Sequence, residues 1–124
     1  LMRAIHEEYD LIIFGNLYKN SYYVMYMAEG LHFLAPTAGV IDDMAESAMA
    51  YASKETAKLY EKKFSRKALI ESYISGVHRV EMEVSEKIGD SVEIFRTAIH
   101  LLKHPYKDDI LMVGLSKRIE KKEA

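Results

Sequence analysis

Apolar residues recur at steps of three and four along most of the chain, which is the spacing of one face of an α-helix. The pattern is longest between Leu69 and Leu102, where a single apolar stripe passes straight through Gly89. Its members are Leu69, Tyr73, Val77, Val80, Val84, Ile88, Val92, Phe95, Ile99 and Leu102. We therefore predict one long helix over this range, which ends at His104 and Pro105.

The same spacing predicts shorter helices before and after the long one. The first covers residues 2–18, although its segment YDLIIF alone also fits a short strand. The next covers residues 22–35 and is ended or kinked by Pro36, and its continuation carries an apolar stripe over residues 41–59. A last helix begins near Asp108 or Asp109. The candidate N-caps are Asn20 or Ser21, Thr37 and Ser65.

Together these elements predict an all-α fold, an up-and-down helical bundle with long antiparallel helices. We find no alternation of apolar and polar residues that is long enough to indicate a sheet. The length of 124 residues favours one helical-bundle domain, 1–124. Leu1 precedes Met2, which fits a piece of a longer protein.

Composition excludes several classes of protein and site. The net charge is only -2, so no bulk electrostatic field favours nucleic acid as a partner. There is no cysteine, which excludes disulfides, thiolate nucleophiles and cysteine-ligated zinc. Residues 21–41 are too polar for a membrane span, and no signal peptide is evident, so we expect a protein that is not inserted in a membrane. The absence of cysteine fits a cytoplasmic location. Frequent Lys and Glu without Gln are typical of a thermophile.

Two pairs of acidic residues at helical spacing are the candidate metal ligands. The stretches IDDMAESAMAYA and SEKIGDSVEIFR align so that the acids coincide, with a small residue before the second acid in each. Hard cations and iron need several converging oxygen ligands, which two facing helices would supply. The predicted ligands are Asp42, Glu46, Glu86 and Asp90, with Asp43, Glu83 and Glu93 as outer candidates. A solvated helix face, neutralised by nearby Arg and Lys, is the alternative interpretation and stays open.

The stretch EKIGDSVEIF closely resembles the signature of the PhoU and PhoU-like phosphate-transport regulators, in which two acids are separated by three residues. DDMAESAMAYA looks like a looser version, and HEEYD, with Glu7 and Asp10, is similar to the Glu-x-x-Asp pattern that opens a repeat. The resemblance implies a three-helix repeat, here with an extra terminal helix, as a single repeat or part of a two-repeat protein. It also implies that the acidic motifs bind iron or zinc.

The same resemblance implies a function without turnover. The protein would regulate phosphate or other ion transport by binding a membrane transporter or its cytoplasmic domain, and we expect it to form a homo-oligomer, such as a dimer. Two alternatives stay open. A helical interaction domain without metal is favoured by the dense tyrosines between Tyr18 and Tyr26. A di-iron bundle protein is indicated by EGLH, which places Glu29 and His32 three residues apart.

Overall fold

The structure, a computed structural model, describes residues 8–123 and is built around a sheet. Within that range the strands are β1 (Leu11–Asn16), β2 (Ser21–Met27), β3 (Ala38–Val40), β4 (Arg79–Ile88), β5 (Ser91–Lys103) and β6 (Ile110–Glu123). The helices are α1 (Ile41–Tyr51), α2 (Lys54–Phe64) and α3 (Arg66–Ile74). The predicted all-α, up-and-down helical bundle is therefore wrong.

The six strands form one antiparallel sheet in the order β3-β2-β1-β6-β5-β4. The two halves of the chain meet where β1 pairs with β6, with Ile13 opposite Gly114. The β4 and β5 strands form a long hairpin in which Ile88 lies opposite Ser91, so only Gly89 and Asp90 form the turn. Because these pairings set the register of the sheet, they also decide which side chains face the helices.

Alternation of side chains explains why residues 79–88 form a strand. Val80, Met82 and Val84 occupy one face of β4, and Met82 and Val84 are both 5% exposed. Arg79 and Glu83, on the other face, are exposed. Successive side chains of a strand point to opposite faces, and β-branched residues suit that surface. A helix over this stretch would not produce this alternation, because its apolar positions recur every three or four residues.

The three helices pack on one face of the sheet and enclose the hydrophobic core with it. Met44 of α1, Phe64 of α2 and Leu69 of α3 belong to the core cluster. The cluster also contains Ile13, Leu17, Tyr22, Ile41, Met82, Val84, Ile99, Leu101, Ile110 and Met112. The core therefore lies between a single helical layer and the inner face of the sheet.

The predicted long helix over residues 69–102 is replaced by three elements, namely α3, β4 and β5. The predicted last helix is β6. Of the predicted helix over residues 2–18, residues 2–7 lie outside the described range, and residues 11–16 form β1. The strand alternative for YDLIIF is thus the correct one.

Residues 22–35 also differ from the prediction. They begin in β2, whose sequence SYYVMYM is rich in strand-forming aromatic residues, and continue into an irregular segment before β3. The stripe over residues 41–59 is helical, but it is broken after Tyr51 into α1 and α2. Asn20 and Ser21 cap no helix at this point, because Ser21 is the first residue of β2.

The predicted caps around the helices have mixed outcomes. The residue before α1 is Val40, not Thr37, and its side chain makes no capping hydrogen bond. Ser65 is confirmed as the N-cap of α3, since its hydroxyl accepts a hydrogen bond from the backbone N–H of Ala68 at 3.2 Å. Ser53 caps α2 in the same way through Thr56.

Substitution of Gly89 distinguishes the turn from a helix interior. Gly89 has φ +60°, a value that costs a residue with a Cβ about 1–2 kcal/mol. We expect Gly89→Ala to lower the free energy of unfolding by about that amount in urea titrations. Asp90→Ala, at the other turn position, should change it by less than about 0.5 kcal/mol. In a helix interior Gly89→Ala would instead stabilise by about 1 kcal/mol, and that result would contradict the hairpin.

Candidate functional site

A cavity of about 110 Å³ lies between the sheet and the helices. The inner face of the sheet contributes residues of β1, β4, β5 and β6, and the opposite wall comes from α1, α2 and the irregular residues 31–35. Most of the lining is aliphatic or aromatic. His32 lines the cavity and is also exposed, so the cavity comes close to the surface at residues 31–35.

A few polar side chains interrupt this apolar lining. They are His32, Ser47, Tyr60, Glu86, Thr97 and Ser116. The hydroxyls of Thr97 and Ser116, which lie opposite each other on β5 and β6, are hydrogen bonded at 2.9 Å. An apolar pocket with a small number of polar groups is the usual composition of a small-molecule site.

Glu86 faces the cavity because of its position on β4. It lies two residues beyond Val84, on the same inner face of the strand, and its partner across the hairpin is Glu93. Glu93 is only 1% exposed, and Nη1 of Arg118 binds its carboxylate at 2.9 Å. Two carboxylates and one guanidinium therefore come together at this end of the sheet.

Burial and neighbouring charge perturb two ionisable groups in the cavity. Burial, with a further contribution from the charge of Glu93, raises the pKa of Glu86 to about 7. Burial and then the charge of Glu86 raise the pKa of the Tyr60 hydroxyl to about 12. At neutral pH, Tyr60 is a hydrogen-bond donor and acceptor, while Glu86 is divided between its neutral and charged forms.

Within residues 8–123, no hydrogen bond or ion pair satisfies the carboxylate of Glu86 or the hydroxyl of Tyr60. The charged pair next to Glu86 is between Glu93 and Arg118, and the aromatic partner of the Tyr60 ring is Phe64, in a T-shaped pair with centroids 5.4 Å apart. Withdrawing polar groups from water without a partner costs free energy, so such groups usually have one. A ligand in the cavity would provide it.

The structure does not bring the four predicted metal ligands together: two lie on α1 and two at the end of the β4–β5 hairpin. Asp42, in the first turn of α1, pairs with Nε of Arg66 at 3.1 Å and accepts a hydrogen bond from Asn20 at 3.0 Å. Glu46 is exposed on α1, and Asp90 is exposed in the β4–β5 turn. Of the four, only Glu86 lines the cavity. Residues 86–90 are a strand end and a turn, so helical spacing does not apply to them.

The outer candidates are also dispersed. Asp43 and Glu83 are exposed, whereas Glu93 is the buried partner of Arg118. Asp10 accepts a hydrogen bond from the backbone N–H of Arg118 at 2.8 Å, and Glu7 lies outside the described residues. No group of three or more His, Asp or Glu side chains in the described part of the chain is placed to hold a metal ion. Binding of iron or zinc stays a prediction.

The fold also contradicts the two alternative functions, the di-iron bundle protein and the helical interaction domain. Glu29 and His32 lie in the irregular segment after β2, where a separation of three residues does not align side chains as a helix would. The di-iron bundle and the helical interaction domain both required helices over residues that form strands. None of the helices described over residues 8–123 has the length and apolar character needed to cross a membrane.

Sequence reasoning missed Tyr60 and the pairing of Glu86 with Glu93. A glycine followed by an aspartate is a known signal for a two-residue hairpin turn, and the alternation in VEMEV supports a strand before it. Once Gly89 and Asp90 are taken as the turn, Glu86 and Glu93 are equally distant from it and must be partners. The pair could therefore have been predicted, but the cavity could not.

Comparisons with known proteins find a similar fold among solved structures. No protein-family model and no curated protein matches the chain. Among solved structures, the chain is similar to a sensory box histidine kinase/response regulator from Burkholderia thailandensis E264. The TM-score is 0.56 at 11% identity, and the match covers 95% of this chain and 82% of that chain. The six-stranded antiparallel sheet with three helices overturns the resemblance to PhoU, which implied a helical repeat.

Glu86 should make the stability of the protein depend on pH. Its pKa rises from 4.5 in the unfolded chain to about 7 on folding, so the folded state binds the proton more tightly. The contribution of Glu86 to stability is then largest below pH 4.5 and is lost as the pH rises through 7. We expect Glu86→Gln to match the parent near pH 4.5 and to be more stable by on the order of 2 kcal/mol above pH 7.5.

Chemical denaturation across this pH range measures the difference. Glu83→Gln is the matched control, since Glu83 lies on the same strand and is exposed on the outer face. A difference between Glu86→Gln and the parent that stays constant with pH would show that Glu86 is not the responsible group.

Removal of the Arg118 side chain should destabilise the fold, because the buried Glu93 carboxylate then has no partner. Arg118→Ala leaves that carboxylate without its partner, and we expect a loss of about 2–3 kcal/mol in urea unfolding at pH 7. The exposed pair of Arg96 with Glu81, separated by 3.9 Å, provides the comparison. Arg96→Ala should cost less than about 1 kcal/mol. Equal small losses for both variants would mean that the Glu93–Arg118 pair does not support the fold.

Proposed function

We propose that this chain is a sensory domain that binds a small molecule in the cavity between its sheet and helices. The observation that carries the proposal is the presence of Glu86 and Tyr60, two polar groups without partners among residues 8–123, in one largely apolar cavity. Packing alone does not explain a carboxylate at this position, because an apolar side chain would fill the same space without the free-energy cost of burying a carboxylate. Ligand binding offsets that cost.

The similarity in fold to this solved structure supports signal sensing as the context of this binding. The similar solved chain is described as a sensory box protein, although the low identity relates the two by fold alone. The inner face of the sheet, the helices and residues 31–35 surround the cavity, so a bound ligand contacts both layers of the domain. Such contact is what a sensor requires, because a ligand shifts a conformational equilibrium only through contacts that differ between the states.

Several properties predicted from the sequence remain predictions. These are a single domain over residues 1–124, action by binding without turnover, a cytoplasmic location and assembly into a homo-oligomer. Regulation of an ion transporter followed from the PhoU resemblance and is no longer supported.

Filling the cavity tests the proposal. Ala48 of α1 lines the cavity, whereas Ala50 of the same helix is exposed and not part of the lining. We would screen the parent against a library of small fragments by two-dimensional NMR. We expect hits that shift the amide signals of lining residues such as Ile99 and Gly114, with affinities weakened at least about tenfold by Ala48→Leu because the added side chain occupies the ligand's volume.

The Ala50→Leu variant should bind the same fragments as the parent, and thermal unfolding confirms that both variants are folded. The proposal is wrong if no fragment shifts the lining signals of the parent. It is also wrong if Ala48→Leu binds the fragments as tightly as Ala50→Leu does.

A further inference from the structure

The charged groups around the cavity carry an excess of negative charge when Glu86 is ionised. Glu86 and Glu93 are cross-strand partners, and Arg118 neutralises only one of them. Lys121, opposite Glu93 on β6, is exposed. The lining formed by the described residues includes neither Lys nor Arg, and His32 is the basic side chain that reaches it. An anionic ligand would face an unpaired carboxylate, whereas a cationic ligand would neutralise it.

The polar side chains that line the cavity favour a ligand that donates hydrogen bonds. A carboxylate accepts and cannot donate, and the hydroxyl of Tyr60 has lone pairs that no other described residue uses. Thr97 and Ser116 bond to each other, which leaves the pair three lone pairs and a single free O–H, so acceptors still outnumber donors there. An ammonium group brings three N–H donors and no acceptor, so it matches a site in which acceptors are in excess.

Aromatic rings provide a second and independent attraction for a cation. Phe33, Tyr60, Phe64 and Phe95 all line the cavity, and Tyr60 is close enough to Glu86 for the carboxylate charge to affect its hydroxyl. The faces of aromatic rings attract ammonium groups, most strongly where water is excluded. The rings also accept the alkyl part of an organic cation, which an inorganic ion does not have.

The volume of the cavity limits the size of the ligand. A cavity of about 150 Å³ holds benzene, which has six non-hydrogen atoms. At about 110 Å³, this cavity admits a ligand of roughly five such atoms. From the carboxylate, the excess of acceptors, the aromatic rings and the volume, we propose that the sensed ligand is a small primary amine, bound as its ammonium ion against Glu86. This inference rests on the proposed function.

Binding of such an amine should be coupled to the protonation of Glu86. The raised pKa of about 7 means that the carboxyl must lose its proton before it pairs with the ammonium group. Glu93, Arg118, Tyr60, His32 and the exposed Lys121 are the other titratable or charged groups around it. Affinity should rise roughly tenfold per pH unit below pH 7 and level off above it.

Three probes of nearly equal size separate the ligand classes. We would titrate the parent with butylammonium chloride, 1-butanol and sodium propionate by NMR at pH 8. We expect butylammonium to bind at least about tenfold more tightly than 1-butanol, and propionate not to bind detectably, because only the ammonium group pairs with the Glu86 carboxylate.

The Glu86→Gln variant should weaken butylammonium at least about tenfold and leave 1-butanol within about threefold. Glu83→Gln is the matched control and should bind all three probes as the parent does, and thermal unfolding verifies both folds. The pH series is repeated in His32→Gln, where the rise in butylammonium affinity should persist because it originates at Glu86.

The outcomes separate the inference from the proposed function. If 1-butanol or propionate binds as tightly as butylammonium, or if Glu86→Gln has no effect, the amine inference is wrong while ligand binding in the cavity stands. A rise with pH that disappears in His32→Gln also overturns it. If none of the probes and none of the library fragments binds in the cavity, the proposed function fails together with the inference.

Discussion

The register of the β4–β5 hairpin is the constraint on which the inner face of the sheet depends. Gly89 and Asp90 close it with two residues, and this fixes Val84 opposite Phe95 and Glu86 opposite Glu93. A shift of one residue would turn every side chain of β4 to the other face. Val84 and Met82 would then leave the core, and the exposed Glu83 would enter it. The turn therefore determines both the packing and the position of the cavity carboxylate.

That same register places charge where a purely structural sheet would have apolar residues. Val80, Met82 and Val84 fill the inner face of β4, and the next residue on that face is Glu86. Its partner Glu93 is more deeply buried, but Arg118 from the neighbouring strand compensates it. One carboxylate is thus paired within the fold and the other is left for the cavity. Glu93 therefore has a structural role, whereas Glu86 is available to a ligand.

The helical prediction failed because a step of four residues satisfies both periodicities. Val80, Val84 and Ile88 share a face of a helix and also share a face of a strand, since four is a multiple of two. The discriminating residue is Met82, which belongs to the strand's buried face but lies on the far side of a helix from Val80. The cap Ser65 was predictable, because its hydroxyl bonds to Ala68 in the first turn of the same helix. The cavity depends on contacts between distant segments, and no local pattern encodes those.

The backbone around Glu86 connects the cavity to the helical layer. Ala52, which follows α1, forms an isolated β-bridge with Glu86, and the N–H of Ser53 donates to the carbonyl of Ser85 at 3.3 Å. Ser53 is also the N-cap of α2, the helix that carries Tyr60. A ligand held between Glu86 and Tyr60 would therefore contact two groups whose backbones are already joined through this junction. Any displacement of β4 at Glu86 must either break these contacts or move the start of α2, which gives the binding event a direct mechanical route into the helices.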